Sequence, residues 1–332
     1  MKALVTGGGG FLGGAIVRLL LADGHSVRSF SRREYPDLDS LGVETFQGDL
    51  ADEEAIKKAC RGCNIVFHAA AKAGIWGEEG DFYRANVTGT RNVIRACRSL
   101  GISRLVYTSS PSVVFDGKDM EGADESVPYP RRYKAAYPSS KAAAERLVVA
   151  AADSRLATIV LRPHLIWGPG DTHLVPGILS RARSGRLRRI GRFDKLVDFT
   201  YVENAGQVHL EAANRLSSES IISGKVYFIS DGKPLPLWDF VNRILEVAEL
   251  PPVTRTVSPR VAYSIGWLCE NLYRGLSLSG EPPLTRFLVE ELATAHWFNI
   301  SAARRELGYQ PRVTMEEGLG HLKDWLQSGE RC

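Results

Sequence analysis

The chain has few cysteines, no strong excess of one charge and no paired metal-ligand motif. Its 332 residues include five cysteines, and Cys60-x-x-Cys63 has no second pair that would complete a zinc site. An odd cysteine count without a disulfide spacing is typical of a reducing compartment. The formal net charge of +4 is too small to indicate a nucleic-acid partner. We therefore expect no disulfide scaffold, no metal site and no nucleic-acid binding.

We also expect neither a membrane span nor a secretory leader. Met1 is followed within a few residues by a strand pattern rather than by a basic and then apolar leader. The apolar stretch 261–278 is interrupted by Glu270 and Arg274 and is too short to cross a bilayer. With 44% hydrophobic and 24% charged residues, the composition is that of an ordinary soluble protein, which we expect to be cytoplasmic.

Glycine, by contrast, is concentrated in the first turn, where Thr6 to Gly14 read Thr-Gly-Gly-Gly-Gly-Phe-Leu-Gly-Gly. The turn lies between a short apolar run and an amphipathic segment, which predicts a strand, a loop and a helix. It fits both G-x-x-G-x-x-G and G-x-G-x-x-G, so the backbone can approach a pyrophosphate at the helix N-terminus. This context favours a dinucleotide site over a ligand-free glycine turn. The expected contacts are Thr6, Gly7, Gly10, Phe11, Leu12 and Gly13.

Further strands extend this unit. Apolar runs near 26–31, 43–47, 64–67, 104–109 and 157–162 alternate with helical patterns, which predicts a Rossmann-type α/β fold with a doubly wound parallel sheet. Ligands of such sheets lie beyond the carboxyl ends of the strands. We assign 1–170 to a cofactor-binding domain, to which 196–230 partly returns, and 171–330 mainly to a smaller C-terminal substrate-binding domain.

The tip of the second strand distinguishes between dinucleotides. It reads Ser31-Arg32-Arg33, and arginine accommodates the extra phosphate of NADP, whereas a carboxylate would bind the ribose of NAD. We therefore favour NADP, with NAD as the alternative; solvated loop charges are the other interpretation of both arginines. Later strand ends supply further expected cofactor contacts, namely Asp49, Leu50, Ala69, Ala70, Ala71 and Pro163.

Two polar residues near these strand ends have simpler interpretations. Asp49 or Asp52 could cap the helix that begins near Glu53 instead of, or as well as, contacting adenine. His68 has no partner motif, so we expect it to be packed or hydrogen-bonded rather than to bind a metal.

A hydroxyl group and a Tyr-Lys pair follow the fifth strand. That strand ends in Thr108-Ser109-Ser110, and Tyr137-Pro-Ser-Ser-Lys141 then opens an alanine-rich helix. Tyr137 and Lys141 are one turn apart and share a helix face. A phenol, whose ordinary pKa is about 10, needs a nearby cation to exchange protons near neutral pH. The order of glycine turn, serine and Tyr-Lys helix predicts an enzyme site.

This order resembles that of the extended short-chain dehydrogenase/reductases. The resemblance implies that Ser110 and Tyr137 hold the substrate oxygen, that Tyr137 passes the proton, and that Lys141 binds the nicotinamide ribose and lowers the tyrosine pKa. Dehydratases of the family carry an Asp-Glu pair where this chain has Pro111 and Ser112, so we do not expect a dehydratase. Epimerases are harder to exclude. Non-catalytic NADP sensors of this fold usually lack the Tyr-Lys pair.

The C-terminal half narrows the resemblance. Segments 280–287, 295–298 and 308–311 resemble the branch that contains the 3β-hydroxysteroid and sterol-4α-carboxylate dehydrogenases. Together with 71–76 and 162–171, they resemble more closely the bacterial 2-alkyl-3-oxoalkanoate reductases of long-chain olefin synthesis. The resemblance implies reduction of a β-keto acid by NADPH, with oxidation of a sterol as the alternative. The candidate substrate contacts are Lys72, Trp76, Ser112, Trp167 and Arg286, with Lys72 or Arg286 on the carboxylate.

The apolar stripe in the C-terminal half and the family resemblance each predict an interaction surface. The stripe in 261–278 predicts a core-facing helix, the lid of an apolar tunnel, or a peripheral membrane contact. The family often forms homodimers through a four-helix interface, which here implies the helices near 86–100 and 137–152. Enzymes of the same pathway are further candidate partners.

Overall fold

A seven-stranded sheet is the central element of the computed structural model, which describes residues 1–329. In chain order the strands of the structure are β1 (Lys2–Thr6), β2 (Ser26–Ser31), β3 (Glu44–Gln47), β4 (Ile65–His68), β5 (Arg104–Thr108), β6 (Met120–Ala123), β7 (Ala157–Pro163), β8 (Ile166–Trp167), β9 (Arg189–Ile190), β10 (Leu196–Val197), β11 (Thr200–Tyr201), β12 (Val226–Ile229), β13 (Leu235–Pro236), β14 (Thr256–Val257) and β15 (His296–Phe298). The strands of the central sheet run in the order β3-β2-β1-β4-β5-β7-β12, and every neighbouring pair is parallel.

Helices cover both faces of this sheet. They are α1 (Phe11–Ala22), α2 (Pro36–Ser40), α3 (Glu53–Cys60), α4 (Glu79–Phe82), α5 (Gly89–Leu100), α6 (Ala136–Ala150), α7 (Leu174–Arg183), α8 (Val202–Arg215), α9 (Leu237–Val247), α10 (Pro259–Gly275), α11 (Arg286–Ala293) and α12 (Met315–Gln327). A 3₁₀ turn spans Pro111–Val114, and π-helical turns span Tyr83–Thr88 and Ala303–Leu307.

Side chains alternate between the two faces of β1. Ala3 and Val5 pack into the core beneath α1 and α8, whereas Leu4 packs into the core beneath α3, α5 and α6. Because helices cover both faces, the strand is apolar throughout, as is usual for a parallel sheet. The sequence order reverses around β1, with β2 on one side and β4 on the other, and a ligand crevice forms at such a point. The predicted doubly wound fold is confirmed.

A second lobe packs over the carboxyl edge of the sheet. Its four-stranded sheet has the order β13-β10-β15-β6, and α7, α9, α11 and α12 contribute to its apolar core. The two lobes are not two continuous halves of the chain. Strand β6, which precedes the Tyr-Lys helix in sequence, belongs to the four-stranded sheet, whereas the late strand β12 belongs to the central sheet. Within residues 1–329 no helix is long and apolar enough to cross a membrane.

The cysteines in the described part of the chain are free thiols. Cys60 ends α3, and burial raises its pKa to about 12. Cys63 and Cys97 are also buried, and burial raises the pKa of both thiols. A protonated, buried thiol is a poor nucleophile, so these residues have a packing role. Cys332 lies outside the described residues.

Candidate active site

One continuous cavity of about 2060 Å³ runs from the glycine turn to α10 and α11. A pocket for one drug-sized ligand typically has about 300–1,000 Å³. The cavity therefore has room for a dinucleotide and a substrate side by side. The predicted residues that line it are Gly7, Gly10, Phe11, Leu12, Gly13, Ser31, Arg32, Arg33, Asp49, Leu50, Ala69, Ala70, Ala71, Lys72, Ser110, Ser112, Tyr137, Lys141 and Pro163.

The glycine turn tolerates no side chain at its closest approaches. A Cβ on Gly13 would lie 2.0 Å from the Gly7 carbonyl oxygen, and Gly7 has a φ of +73°. Gly10 precedes the 12-residue helix α1, and no side chain of residues 1–329 caps that helix N-terminus. Its free N–H groups and positive dipole end face the cavity, which fits a pyrophosphate. The cradle thus suits a dinucleotide.

A hydrogen-bond chain beneath the turn sets the path of the loop that follows β4. The Ala70 N–H donates to Thr6 Oγ1 (3.2 Å), whose hydroxyl donates to His68 Nδ1 (2.7 Å). His68 Nε2 donates to Thr90 Oγ1 (3.0 Å), and Thr90 donates to the carbonyl of Asn86 (2.6 Å). Burial lowers the pKa of His68 to about 3, so the ring is neutral and each donor has an acceptor. His68 is hydrogen-bonded, as expected.

Thr6 therefore differs from its prediction. Its hydroxyl is fully buried and belongs to this chain of hydrogen bonds, and Thr6 does not line the cavity. It positions the backbone of Ala70, which does line the cavity.

Asn86 completes this support, although the sequence offered only a helix position for it. It lies in the π-helical turn, where its Oδ1 accepts from the Lys72 N–H (2.7 Å) and its Nδ2 donates to the Lys72 carbonyl (3.1 Å). The same amide donates to Ser140 Oγ (3.0 Å) on α6. A π-turn is often found at functional sites, and here it orients an amide that joins two cavity walls.

At the tip of β2, Arg32 and Arg33 are exposed and line the cavity. Neither guanidinium forms an ion pair within the described range 1–329, and the nearby Ser31 Oγ is buried without a hydrogen-bond partner in that range. Free cations and an unpaired hydroxyl at this tip suit an additional phosphate. Tyr35 was missed by sequence reasoning: its ring covers Gly9, where a Cβ would lie 2.1 Å from it.

The two carboxylates after β3 have separate roles. Asp52 caps α3, accepting from the Glu54 and Ala55 N–H groups at 3.0 and 3.1 Å. Asp49 lines the cavity. Two hydrogen bonds to its carboxyl hold the pKa of that group below the usual range, the larger effect coming from the Ala51 N–H and the smaller from the Arg84 guanidinium.

Ser110 and Tyr137 face one another across the cavity end of β5. Ser110 begins the 3₁₀ turn, and its Oγ accepts from the Ser112 N–H (3.2 Å) and the Ser112 hydroxyl (3.0 Å). The Ser110 hydroxyl proton is thus free to be donated. Burial raises the pKa of Tyr137 to about 12, and its hydrogen bond with Ser110 opposes that rise. At neutral pH the phenol is protonated and can donate to an oxygen between the two residues.

Lys141 lies one turn after Tyr137 on α6. Its Nζ donates to the Thr108 carbonyl (2.6 Å) and lies 4.2 Å from the centre of the Tyr107 ring. Burial lowers the pKa of Lys141 to about 7, with Glu145 opposing the shift. The family resemblance implies that this lysine lowers the tyrosine pKa. In this structure burial dominates, and the tyrosine pKa is raised.

A buried ion pair holds α6 against the sheet. The Arg162 guanidinium on β7 donates to both carboxylate oxygens of Glu145, and Tyr129 Oη donates to the same carboxylate at 2.6 Å. The side chains of Glu145 and Arg162 are 0% and 3% exposed. An ion pair this deeply buried fixes the rotation of α6, and therefore the direction of Tyr137 and Lys141.

Most side chains that line the far half of the cavity are apolar, and Arg181, Arg186 and Arg188 line it as well. Leu165 adopts the left-handed region (φ +37°), which is uncommon outside glycine, and it lines this half. Other apolar lining residues are Ile166, Leu174, Leu187, Ile190, Leu237, Trp238, Val241, Phe287, Leu288 and Leu292. The apolar part of these walls suits a hydrocarbon body.

Three titratable groups lie between the apolar and polar halves. His296 Nε2 donates to the Glu291 carbonyl (2.8 Å), so its Nδ1 accepts from His164 Nε2 (2.6 Å). Burial lowers the pKa of both rings, which keeps them neutral. The Glu291 side chain lines the cavity, and burial raises its pKa to about 7. None of the three was found from sequence, because only the fold brings the end of β7 to β15.

Three of the expected substrate residues do not line the cavity. Trp167 is fully buried against the Tyr201 and Phe240 rings, so it packs the core and does not line the cavity. The Arg286 guanidinium pairs with Glu270 at 2.6 and 2.8 Å and does not line the cavity.

Trp76 is the third of them. Its ring packs beside Tyr273 and under the Arg274 guanidinium, outside the cavity lining. Lys72 does line the cavity, and its Nζ donates to Asp81 (2.7 Å).

Fold and site together define a nucleotide-binding oxidoreductase with a Ser-Tyr-Lys arrangement. Residues 4–260 match the 3-beta hydroxysteroid dehydrogenase/isomerase family, and the chain belongs to that family. It is 51% identical to the 2-alkyl-3-oxoalkanoate reductase of Stenotrophomonas maltophilia (strain K279a), covering 97% of this chain and 98% of that protein. It is 35% identical to the decarboxylating sterol-4-alpha-carboxylate 3-dehydrogenase of Mus musculus, covering 96% and 89%.

A solved structure extends the comparison to the cofactor. MoeE5 in complex with UDP-glucuronic acid and NAD is 26% identical, with a TM-score of 0.74 over 99% of this chain and 100% of that one. The predicted family and enzyme class are confirmed: the chain is an NAD(P)-dependent oxidoreductase.

Proposed function

We propose that the protein reduces a 2-alkyl-3-oxo acid to the 2-alkyl-3-hydroxy acid with NADPH. The observation that carries the proposal is a protonated Tyr137 beside Ser110, at the junction of a dinucleotide cradle and an apolar chamber. The reductase of Stenotrophomonas maltophilia supports the substrate class, since it is 51% identical along nearly its whole length. The free Arg32 and Arg33 guanidinium groups support NADPH over NADH.

In the proposed mechanism NADPH, when bound, supplies the hydride. Ser110 donates a hydrogen bond to the substrate carbonyl oxygen, because Ser112 already occupies a lone pair of its Oγ. That donor is worth most as negative charge develops on the oxygen. Tyr137 then transfers its proton to this oxygen, which is a stronger base than the phenolate left behind. Lys141, when protonated, stabilises the phenolate from one helical turn away.

The remaining side chains orient the substrate and exclude water. Lys72 is the proposed partner of the substrate carboxylate, since it is the expected cation that reaches the cavity. The walls around Leu165 and Phe287 hold the alkyl chains. A β-keto acid loses carbon dioxide spontaneously, and an ion pair with Lys72 would stabilise its carboxylate against this loss.

Absorbance of the reduced nicotinamide tests the proposal. The full chain is supplied with NADPH or NADH and a 2-alkyl-3-oxo fatty acid, and separately with NAD or NADP and a 3β-hydroxysteroid that carries a C4 carboxylate. We expect consumption of NADPH with the keto acid and no reaction of the steroid. Turnover of the steroid with NAD alone would make the chain a sterol dehydrogenase. Failure of every pair would favour a non-catalytic sensor.

We further propose that the protein is a homodimer through α5 and α6, as the family resemblance implies. Sedimentation of the full chain tests this assembly separately from catalysis.

A further inference from the structure

Helix α10 carries its apolar side chains on the outside of the molecule. Of its 17 residues, those that are buried are Ala262, Gly266 and Glu270, which form one narrow stripe. Gly266 packs so closely that a Cβ there would lie 2.9 Å from the Thr285 carbonyl carbon. Glu270 accepts from the Arg286 N–H at 2.7 Å as well as from its guanidinium. Small residues and an ion pair therefore attach the helix to α11, and its apolar residues are not needed for that attachment.

Those apolar residues form an exposed patch, here termed the α10 patch. Its members are between 38% and 66% exposed. Scattered exposed apolar residues are ordinary, but Val261, Ile265, Leu268, Leu272 and Leu276 recur at helical spacing, with Tyr263 and Trp267 flanking them, and such a stripe marks an interaction site. The helix is thus not the core-facing element that its periodicity also allowed. The α10 patch consists of Val261, Tyr263, Ile265, Trp267, Leu268, Leu272, Leu276 and Leu278.

Positive charge lies beside the α10 patch. Strand β9 pairs with β14, and this pairing brings Gly191 close to the start of the helix, where a Cβ added to Gly191 would lie 3.6 Å from the Pro259 side chain. The adjoining exposed cations are Arg192, Arg255 and Arg260. The carboxylate of α10 itself, Glu270, is buried in its ion pair, so the helix shows solvent no negative side chain.

Phe193 projects beside these arginines. It follows Arg192 and is 83% exposed, an unusual setting for an aromatic ring. The preceding stretch, 181–189, holds five arginines, of which Arg181, Arg186 and Arg188 line the cavity and Arg189 pairs with Asp194. An apolar surface bordered by arginine and an exposed aromatic ring matches the interface of an anionic membrane.

The α10 patch also borders the cavity. Ile265 belongs to the patch and lines the cavity, and Cys269 and Tyr273 line it from the same helix. One side of α10 therefore belongs to the cavity wall, and the exposed part of Ile265 joins that wall to the α10 patch.

We propose that the α10 patch and the neighbouring arginines dock on an anionic phospholipid bilayer, with the cavity opening toward it. A second copy of this chain fits the surface less well. In a two-fold dimer the same patch meets itself, and because α10 exposes no carboxylate, the second copy's helix would offer no negative charge to Arg192, Arg255 and Arg260. The docking surface goes beyond the proposed reaction, and its test does not depend on the identity of the substrate.

Vesicle flotation of the full chain tests this proposal. We expect the protein to float with phosphatidylcholine vesicles that contain about one third phosphatidylglycerol, and to stay behind with pure phosphatidylcholine. Leu268→Gln/Leu272→Gln changes two patch residues that do not line the cavity, and should weaken flotation at least about tenfold. The matched control is Ile221→Gln, which alters an apolar residue that is 72% exposed elsewhere.

The electrostatic part has its own variant. Arg192→Gln/Arg255→Gln/Arg260→Gln should weaken binding about tenfold and remove most of its salt dependence. Arg131→Gln/Arg132→Gln/Arg155→Gln removes three exposed charges elsewhere and should change binding little.

Two results would overturn the docking surface. Equal flotation of the wild type and Leu268→Gln/Leu272→Gln is one. The other is absence of vesicle binding together with a wild-type dimer that this variant converts to a monomer, which would make the patch an interface between copies. Unfolding temperature and a cofactor-binding titration verify that each variant is folded, so loss of flotation is not loss of structure.

Discussion

The two halves of the cavity are supported in different ways. Around the cofactor cradle, buried polar groups are joined in sequence-distant hydrogen bonds, such as the chain from Thr6 through His68 to Thr90. Around the proposed substrate chamber, most lining side chains are apolar, and the ion pair between Glu270 and Arg286 lies behind them. Directional bonds hold the reacting atoms in place, whereas apolar contacts tolerate a hydrocarbon of variable shape. The following predictions test that contrast, starting with the largest expected effect.

Removing the proton donor should abolish chemistry and leave both halves intact. We expect Tyr137→Phe to lower kcat by about 10²–10⁴-fold, the range for loss of a general acid. Cofactor affinity and unfolding temperature should change little, because the ring is kept. Steady-state kinetics measure the loss, with Tyr83→Phe as control for an exposed phenol. Intact turnover in Tyr137→Phe would remove this residue from the mechanism.

Breaking the buried pair under α6 should show how much the polar half depends on directional contacts. Glu145→Ala leaves the Arg162 charge buried and unpaired, which typically costs about 3–5 kcal/mol of unfolding free energy. Denaturant unfolding measures this, against Glu203→Ala on the exposed side of α8. Glu145→Leu/Arg162→Met should recover most of the stability. A loss no larger than that of the Glu203 control would contradict the assigned role.

Neutralising the β2 tip should separate the two dinucleotides. Arg32→Ala/Arg33→Ala removes charge-assisted hydrogen bonds worth about 1.5–3 kcal/mol each, so KM for NADPH should rise at least about tenfold. KM for NADH should hardly change. The control is Lys58→Ala, an exposed charge on α3. A parallel rise for both cofactors would show that these arginines do not read the extra phosphate.

The smallest expected effect compares the two candidate carboxylate partners. Lys72→Ala should raise KM for the keto acid about tenfold relative to its methyl ester, as expected for loss of one charged hydrogen bond. Arg286→Ala should not change that ratio, because its guanidinium already pairs with Glu270. Parallel KM measurements on acid and ester decide between them. An acid-to-ester KM ratio that changes only in Arg286→Ala would make Arg286, and not Lys72, the partner of the substrate carboxylate.

Local patterns account for the correctly predicted parts. A strand, glycine turn and helix are read within about twenty residues, and the spacing of Tyr137 and Lys141 follows from one helical turn. The parallel sheet follows from alternating apolar strands and helices, since right-handed crossovers leave few topologies. The same local patterns predicted the glycine turn and the strand ends that line the cavity.

The misplaced residues depend on contacts that no local pattern contains. Trp167 follows directly after cavity-lining residues, yet strand alternation turns it into the core beside Tyr201. Arg286 was a candidate partner of the substrate carboxylate, but the fold pairs its guanidinium with Glu270, which lies 16 positions earlier in the chain. Asn86, His164 and Glu291 gained their surroundings from elements far apart in the chain.

The sequence by itself determined the fold class, the dinucleotide turn and the one-turn spacing of Tyr137 and Lys141, because each is encoded by short-range spacing, whereas Ser110 was assigned through the family resemblance. Only the tertiary structure decided which cations are free, how the phenol is protonated and which side of α10 meets solvent. Burial and long-range pairing set those properties, and both depend on residues that are distant in the chain. The periodicity of α10 showed that it has an apolar side, and the packing of Gly266 on α11 turned that side outward.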